Sequence, residues 1–175
     1  MQIVKNHFIP GKKVKTYKEI EKIATEMIEF LNGGLMSNGV VVNGHGLAHN
    51  QVEDKNPRSF FVLSDKAVEQ GWPSQIIINP QIIEPERTIN IGTKENPDMR
   101  NNIRTYPEAC FSFPHKAPKK VERYYRIRVI YYIPKHTIVF GESLKKVEET
   151  LDGLKAHIFQ HEWQHTIGEN IYYKN

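Results

Sequence analysis

Apolar residues recur every three or four positions between Ile20 and Leu31, which is the spacing of one buried face of an α-helix. Thr16 and Glu19 stand before this stretch in the order of a capping box, and two glycines at 33–34 follow it. We therefore predict a helix that ends near these glycines. Its core-facing residues are Ile20, Ile23, Ala24, Met27, Ile28 and Leu31.

Short apolar runs bounded by turn residues occupy the middle of the chain, and such runs are typical of strands. They fall at residues 40–42, 60–63 and 75–78. Residues 82–106, in contrast, carry prolines, a glycine and many polar side chains. This composition predicts a long loop or a hairpin there.

Strict alternation of apolar and polar residues over 121–133 predicts one half-buried strand. We expect residues 137–140 to pair with it across a turn at 134–136, with Gly141 ending the hairpin. A last helix is predicted to begin near residues 150–152, where a threonine or an aspartate can cap it. One broad face of that helix carries Leu151, Leu154, Ile158, His161, Glu162 and His165.

Composition narrows the class of protein. A chain of 175 residues that is 39% hydrophobic fits a single domain over 1–175 with one core. The net charge of +4 comes from basic residues interspersed with acidic ones, so we expect no nucleic-acid binding. A single cysteine excludes an internal disulfide, and no long apolar run or signal-like segment is present. We expect a cytoplasmic protein without membrane contact.

The candidate chemistry lies in the last helix, where His161 and His165 are four residues apart. At that spacing both imidazoles project from one face and can bind one metal ion, and Glu162 can exchange a proton with a metal-bound water. Helical histidines that only hydrogen-bond to the protein give the same pattern. The pattern alone therefore leaves both interpretations open.

A third ligand would favour the metal site. The position six residues after His165 is Ile171 rather than histidine, and Glu169 follows Gly168, where the helix should end. The upstream candidate is Cys110, whose thiolate with two histidines would leave one tetrahedral position for water. A lone cysteine is also a common small residue of a hydrophobic core.

Three segments together resemble a known family. They are GHGLAHNQ at residues 44–51, EACFS at 108–112 and QHEWQHTIG at 160–168. In the same order they are similar to the motifs GxGLAxxQ, EGCxS and QHExDHxxG of peptide deformylases. The resemblance covers roughly residues 40–170 and is far more specific than one motif alone.

The resemblance implies a fold and a reaction. The fold is α+β, with small mixed or antiparallel sheets packed around the C-terminal helix that carries the HExxH motif. The reaction removes the formyl group from the N-terminal formyl-methionine of nascent polypeptides and releases formate. The implied cofactor is one divalent metal ion, Fe²⁺ in the cell, with Zn²⁺, Ni²⁺ or Co²⁺ as substitutes.

The resemblance also implies roles for particular residues. The metal ligands would be Cys110, His161 and His165, and Glu162 would move the proton. Gln51 and the backbone N–H of Phe111 would stabilise the oxyanion. The implied substrate contacts come from Gly44, His45, Gly46, Leu47, Glu108, Ala109 and His157.

The implied partner is the nascent formyl-methionyl peptide at the ribosome, bound by a monomeric enzyme in a bacterial cytoplasm, or in the host cytoplasm of a phage. The chain departs from the family pattern at Ala109, Gln164 and His49, and its short tail after His165 resembles compact, phage-type members. Two alternatives stay open here. One is a generic HExxH peptidase, and the other is a metal-stabilised peptide-binding module without catalysis.

Overall fold

The fold consists of three antiparallel sheets and three α-helices within the residues that the computed structural model describes, 1–4, 9–37, 40–85, 102–137 and 141–172. Short 3₁₀ turns at Tyr17–Glu19 and His49–Gln51 complete it. The helices are α1 (Glu21–Gly33), α2 (Asp65–Val68) and α3 (Gly153–Thr166). The strands are β1 (Leu35–Ser37), β2 (Val40–Val42), β3 (Gly46–Ala48), β4 (Phe60–Leu63), β5 (Ile76–Pro85), β6 (Ile103–Glu108), β7 (Lys119–Tyr124), β8 (Arg126–Thr137) and β9 (Gly141–Asp152).

A five-stranded sheet in the order β3-β4-β5-β8-β9 lies at the centre, with an apolar layer on each face. Successive side chains of a strand point to opposite faces, and β4 shows this clearly. Phe61 and Leu63 pack on the face that α3 covers, whereas Phe60 and Val62 pack on the face that α1 covers. The sheet is therefore held between the two long helices.

The first helix forms as the pattern predicts. Ile20, Ala24, Met27 and Leu31 are buried, and Gly34 ends the helix with a φ of 73°, a backbone conformation that favours glycine. The predicted capping box is confirmed with one difference. Glu19 accepts a hydrogen bond from the backbone N–H of Thr16 over 3.1 Å, so the box caps the 3₁₀ turn that leads into α1.

The last helix packs against strands of two sheets, since it contacts β3, β4, β5, β8 and β9 of the central sheet and also β7. It starts at Gly153, which has a φ of 54°. The predicted side-chain cap is wrong, because Asp152 at the N-cap position makes no capping hydrogen bond and residues 150–152, with Leu151, belong to β9. The α+β class and the arrangement of sheets around this helix are confirmed. Within the described ranges, no helix has the length and apolar character needed to cross a membrane.

Three strand predictions need correction. The alternating stretch is not one strand, because a bend at Tyr125 separates β7 from β8 and places them in different sheets. The predicted turn at 134–136 is also wrong, since β8 continues to Thr137 and pairs with β9 as far as the Thr137–Gly141 pair. The long loop or hairpin predicted at 82–106 has strands at both ends, because β5 extends to Pro85 and β6 begins at Ile103; residues 86–101 lie outside the described part.

Candidate active site

Three side chains from two segments of the chain converge on one point beside α3. His161 and His165 project from the helix, and Cys110 comes from the turn that follows β6, where the Phe113 N–H donates to the Cys110 carbonyl over 2.9 Å. The Cys110 Sγ lies 3.3 Å from His165 Nε2, which lies 3.3 Å from His161 Nε2. The three ligand atoms all lie within 4.8 Å of one another.

These distances fit a shared metal ion. Ordinary Zn–N and Zn–S bond lengths in a tetrahedral site separate the ligand atoms by about 3.3 to 3.6 Å. Burial raises the pKa of the Cys110 thiol to about 12, so its thiolate form needs a positive charge beside it. Burial lowers the pKa of both His161 and His165, which favours the neutral rings that bind metals. The donor set is therefore suited to a divalent cation.

Glu108 orients the ring of His161, the first of the two candidate histidine ligands. Its Oε2 accepts a hydrogen bond from His161 Nδ1 over 2.9 Å, which directs the His161 Nε2 lone pair toward Cys110 and His165. Burial opposes the charged form of this carboxylate. Hydrogen bonds from Arg123, His157 and His161 outweigh that effect and hold the pKa of Glu108 well below its usual range. The carboxylate is therefore a fixed negative charge behind the ligand.

The same hydrogen-bond network includes Gln164, where the family motif has an aspartate. Arg123 donates to both oxygens of Glu108 over 2.7 Å, and its third contact is to Gln164 Oε1, also over 2.7 Å. The glutamine at position 164 thus accepts a hydrogen bond from the charged guanidinium of Arg123 instead of forming an ion pair with it. Glu108 lines the cavity, as the assignment to substrate binding requires. Its carboxylate, however, is bound by Arg123, His157 and His161, and no signal in the sequence indicated this supporting role.

Glu162 is buried next to the ligands, with 4% of its surface exposed. Its carboxyl group lies against Gly46, where a methyl group in place of the glycine hydrogen would stand 2.7 Å from Glu162 Cδ and Oε1. Oε2 has no hydrogen-bond partner within the described residues. Burial, together with the charge of Glu108, raises the pKa of Glu162 to about 8, so this group can hold a proton near neutral pH.

Gln51 reaches the site from the 3₁₀ turn after β3. Its Oε1 accepts a hydrogen bond from the Ala48 N–H over 2.7 Å, which fixes the amide and points Nε2 toward the ligand cysteine. Nε2 donates to Ser112 Oγ over 2.9 Å and lies 3.9 Å from Cys110 Sγ. Both acceptors of this amide nitrogen therefore belong to the second motif. The sequence-based interpretation did not consider Ser112, although it lies inside the second motif.

A cavity of about 520 Å³ opens next to these residues. Cys110, His161 and Glu162 line it, as do Gln51 and Phe111. Leu47 does not reach it, because its side chain is fully buried in the core beneath α1. The predicted contacts that do line the cavity are Gly44, His45, Gly46, Glu108, Ala109 and His157, and Tyr106 is a further lining residue that the motifs did not indicate.

Comparison with known proteins points to the family that the three motifs resemble. The model of the polypeptide deformylase family matches residues 6–174. A peptide deformylase of Aquifex aeolicus is 29% identical over 161 residues, which is 91% of this chain and 75% of the relative. One of Thermotoga petrophila is 32% identical over 126 residues, 72% of this chain and 58% of the relative.

Solved structures share the fold. The crystal structure of peptide deformylase from Thermotoga maritima is 29% identical, covers 93% of this chain and 86% of its own, and superposes with a TM-score of 0.62. A probable peptide deformylase from Synechococcus phage S-SSM7 is 22% identical, with coverage of 92% and 87% and a TM-score of 0.61. The second likeness concerns the fold alone.

Fold and site together define a metal-dependent hydrolase. The chain belongs to the polypeptide deformylase family, as its three motifs indicated. It is therefore an enzyme that deformylates peptides, and neither the generic peptidase nor the non-catalytic binding module is favoured.

Proposed function

We propose that this enzyme removes the formyl group from N-terminal formyl-methionine of nascent polypeptides and releases formate. The observation that carries the proposal is the convergence of Cys110, His161 and His165 to metal-ligand distances, with the buried carboxyl group of Glu162 beside them. Family membership supports the same substrate.

Cys110, His161 and His165 would hold the metal ion, for which we propose Fe²⁺ in the cell, with Zn²⁺, Ni²⁺ or Co²⁺ able to replace it. When bound, such a cation acts as a Lewis acid that lowers the pKa of water. The mixed sulfur and nitrogen ligand set supports this range of metals without selecting one of them.

We assign the proton transfer to Glu162. Its carboxylate takes a proton from the attacking water and passes it to the amine that leaves when the formyl C–N bond breaks. The burial of Glu162 and its raised pKa support this role, because the group can hold the proton between the two steps.

We assign oxyanion stabilisation to the Gln51 side chain and to the backbone N–H of Phe111. The Gln51 amide is fixed by Ala48 and Ser112, so its direction is set before the substrate binds. Phe111 follows the ligand Cys110 directly and lines the cavity.

Peptide binding is proposed along β3, which is an edge strand of the central sheet within the described residues. An extended peptide can add to such an edge through backbone hydrogen bonds. Gly44, His45, Gly46 and Ala109 line the cavity beside it, whereas Leu47 would contribute through its backbone alone.

The cellular setting completes the proposal. We infer that residues 1–175 form one catalytic domain that works as a monomer on chains emerging from the ribosome. Its compartment would be the cytoplasm of a bacterium, or of the host cell if a phage encodes the protein. The family supports the nascent-peptide substrate that this setting supplies.

Formate release from a formyl-Met peptide, measured under anaerobic conditions with Fe²⁺ or Ni²⁺ loaded, tests the proposal. Wild type should release formate, and Glu162→Gln should lower kcat at least about 100-fold while retaining the metal. An unformylated peptide of the same sequence serves as the control and should stay intact. Absence of formate from metal-loaded wild type would refute the function, and a fully active Glu162→Gln would refute the role of Glu162.

A further inference from the structure

Two histidines of α3 bind the same carboxylate. His157 lies one helical turn before His161, and its Nε2 is 2.6 Å from Glu108 Oε1, while His161 Nδ1 is 2.9 Å from Glu108 Oε2. A carboxylate that is ionised only accepts hydrogen bonds, so each histidine carries a hydrogen on the nitrogen that faces Glu108. His157 thus contacts the group that orients a proposed metal ligand.

The carboxylate is held from two sides. Arg123 donates to both oxygens of Glu108 and also contacts Gln164, and neither Arg123 nor Gln164 lines the cavity that His157 lines. His157 donates from the cavity, which it lines with 16% of its side chain exposed. A carboxylate has about four acceptor sites, and these four bonds use them all. Loss of one donor on the cavity side would leave Glu108 free to turn toward Arg123.

His157 has a second contact that offers a competing explanation for its presence. Its ring lies 4.4 Å from the ring of Tyr106, centroid to centroid, with a tilt of 33°. A histidine that served only to pack there would depend on ring shape, whereas one that holds Glu108 would depend on the N–H donor. Substitution can separate these two properties.

We propose that His157 is a positioning residue, which holds Glu108 through its Nε2–H and thereby keeps His161 oriented for metal binding. The inference rests on the proposed metal site but not on turnover. Outer-sphere partners of metal ligands typically change metal affinity about 10- to 100-fold when they are removed. The effect of His157 should therefore appear in metal retention as well as in kcat.

A crossed pair of variants tests the proposal. His157→Phe keeps a ring against Tyr106 but has no donor, and His157→Gln keeps an N–H donor but has no ring. Each protein is loaded with Co²⁺, and the rate of metal release to excess EDTA is followed by the visible absorption of the ion. Thermal unfolding of each loaded protein shows whether it is folded. His45→Leu removes another cavity imidazole for comparison.

His157→Phe should release Co²⁺ about tenfold faster than wild type. The release rates of His157→Gln and His45→Leu should stay within about threefold of the wild-type rate. In formate assays, His157→Phe should lower kcat with little change in KM. Equal release from His157→Phe and wild type would overturn the proposal, as would faster release from His157→Gln alone. If His157→Phe does not fold, His157→Leu replaces it as the donor-free variant.

Failure of this inference is distinguishable from failure of the proposed function. Metal release is measured without substrate, so it reports on His157 even if wild type releases no formate. Conversely, an active wild type with unchanged release from His157→Phe would reject the positioning role and leave the deformylase assignment intact.

Discussion

At the scale of single residues, the site depends on the missing side chain at Gly46. A methyl group built there would stand 2.7 Å from three atoms of the Glu162 side chain, well inside van der Waals contact. Those atoms belong to the end of a flexible side chain rather than to the backbone. A larger residue at position 46 would therefore move the carboxyl group more readily than it would disturb the fold.

We accordingly expect Gly46→Ala to lower kcat about 10- to 100-fold, because a displacement near 1 Å is enough to misplace a catalytic group. The unfolding free energy should change little. Gly33→Ala is the matched control, since a methyl group there has no atom within 4 Å. Steady-state formate release and urea unfolding check both variants, and wild-type kcat in Gly46→Ala would contradict the expected contact.

His49 gives the enzyme a pH-dependent stability. It is 7% exposed, stacks on Phe60 with centroids 4.9 Å apart, and its Nδ1 accepts the Arg58 backbone N–H over 2.8 Å. Burial lowers the pKa of His49 to about 4 in the folded protein, against about 6.5 in the unfolded chain. The unfolded chain therefore binds the proton first as the pH falls.

The stability from His49 is fully present above pH about 6.5 and declines by up to about 1.4 kcal/mol per unit down to pH about 4. His49→Gln keeps a hydrogen-bond acceptor for Arg58 but cannot titrate in this range. The unfolding free energy of wild type should thus fall more steeply than that of the variant between these values. Parallel pH profiles from urea denaturation would exclude the effect.

At the scale of elements, α3 serves both the core and the site. Phe159 is fully buried and contacts Phe61, Trp72 and Tyr131, with ring centroids 5.7 to 6.4 Å apart. The proposed metal ligands His161 and His165 are two and six residues further along the same helix, on the side away from Phe159. Packing of the apolar face thereby sets the position of the ligands.

Phe159→Ala should lower the unfolding free energy by about 3–5 kcal/mol, the usual cost of a large cavity in a core. Leu154→Ala, on the same helix at 44% exposure, should cost less than about 1 kcal/mol. Urea unfolding of both proteins, each with metal bound, measures the difference. Similar losses in the two variants would show that α3 is not anchored by this aromatic cluster.

One long element that the pattern did not predict is β9. Its apolar residues Leu144, Val147 and Leu151 are spaced by three and four positions, with charged residues between them, as in a helix. It nevertheless forms a strand, because β8 offers twelve consecutive pairing positions. Edge strands often carry charges that discourage pairing with other chains, and β9 lies at the edge of the sheet.

At the scale of the whole molecule, the N-terminal segment ties distant elements together. The Gly11 N–H donates to the Thr166 carbonyl over 2.8 Å. The backbones of Lys12 and Arg58 form an isolated parallel β-bridge. Asn79 holds the next part of the segment, with its side chain donating to the Val14 carbonyl and accepting from the Val14 N–H, each over 2.8 Å. Asn79 has a φ of 48°, which asparagine tolerates better than most residues.

Both substitutions Asn79→Gly and Asn79→Ala remove the two side-chain bonds and should cost about 1–3 kcal/mol for that reason. Alanine should cost about 1 kcal/mol more, since only glycine adopts a positive φ without strain. Urea unfolding gives the totals, and faster hydrogen exchange at the Val14 amide locates the loss. Unchanged exchange there would show that the segment does not rely on Asn79.

The sequence by itself determined the local features. The 3.6-residue period predicted α1 and its buried face, and the three motifs indicated the family and the residues for the proposed site. Such signals can be read along the chain because they depend on neighbours within a turn or two. The presence of α3 follows from the same local information, although it begins at Gly153 and residues 150–152 belong to β9.

Only the tertiary structure decided which residues meet. Packing between segments tens of residues apart sets the distances among Cys110, His161 and His165. It also brings Arg123 and two histidines to the carboxylate of Glu108 and buries Leu47. The strand character of β9 depends likewise on its partner β8. Periodicity describes one element at a time, whereas these contacts depend on how elements are arranged around α3.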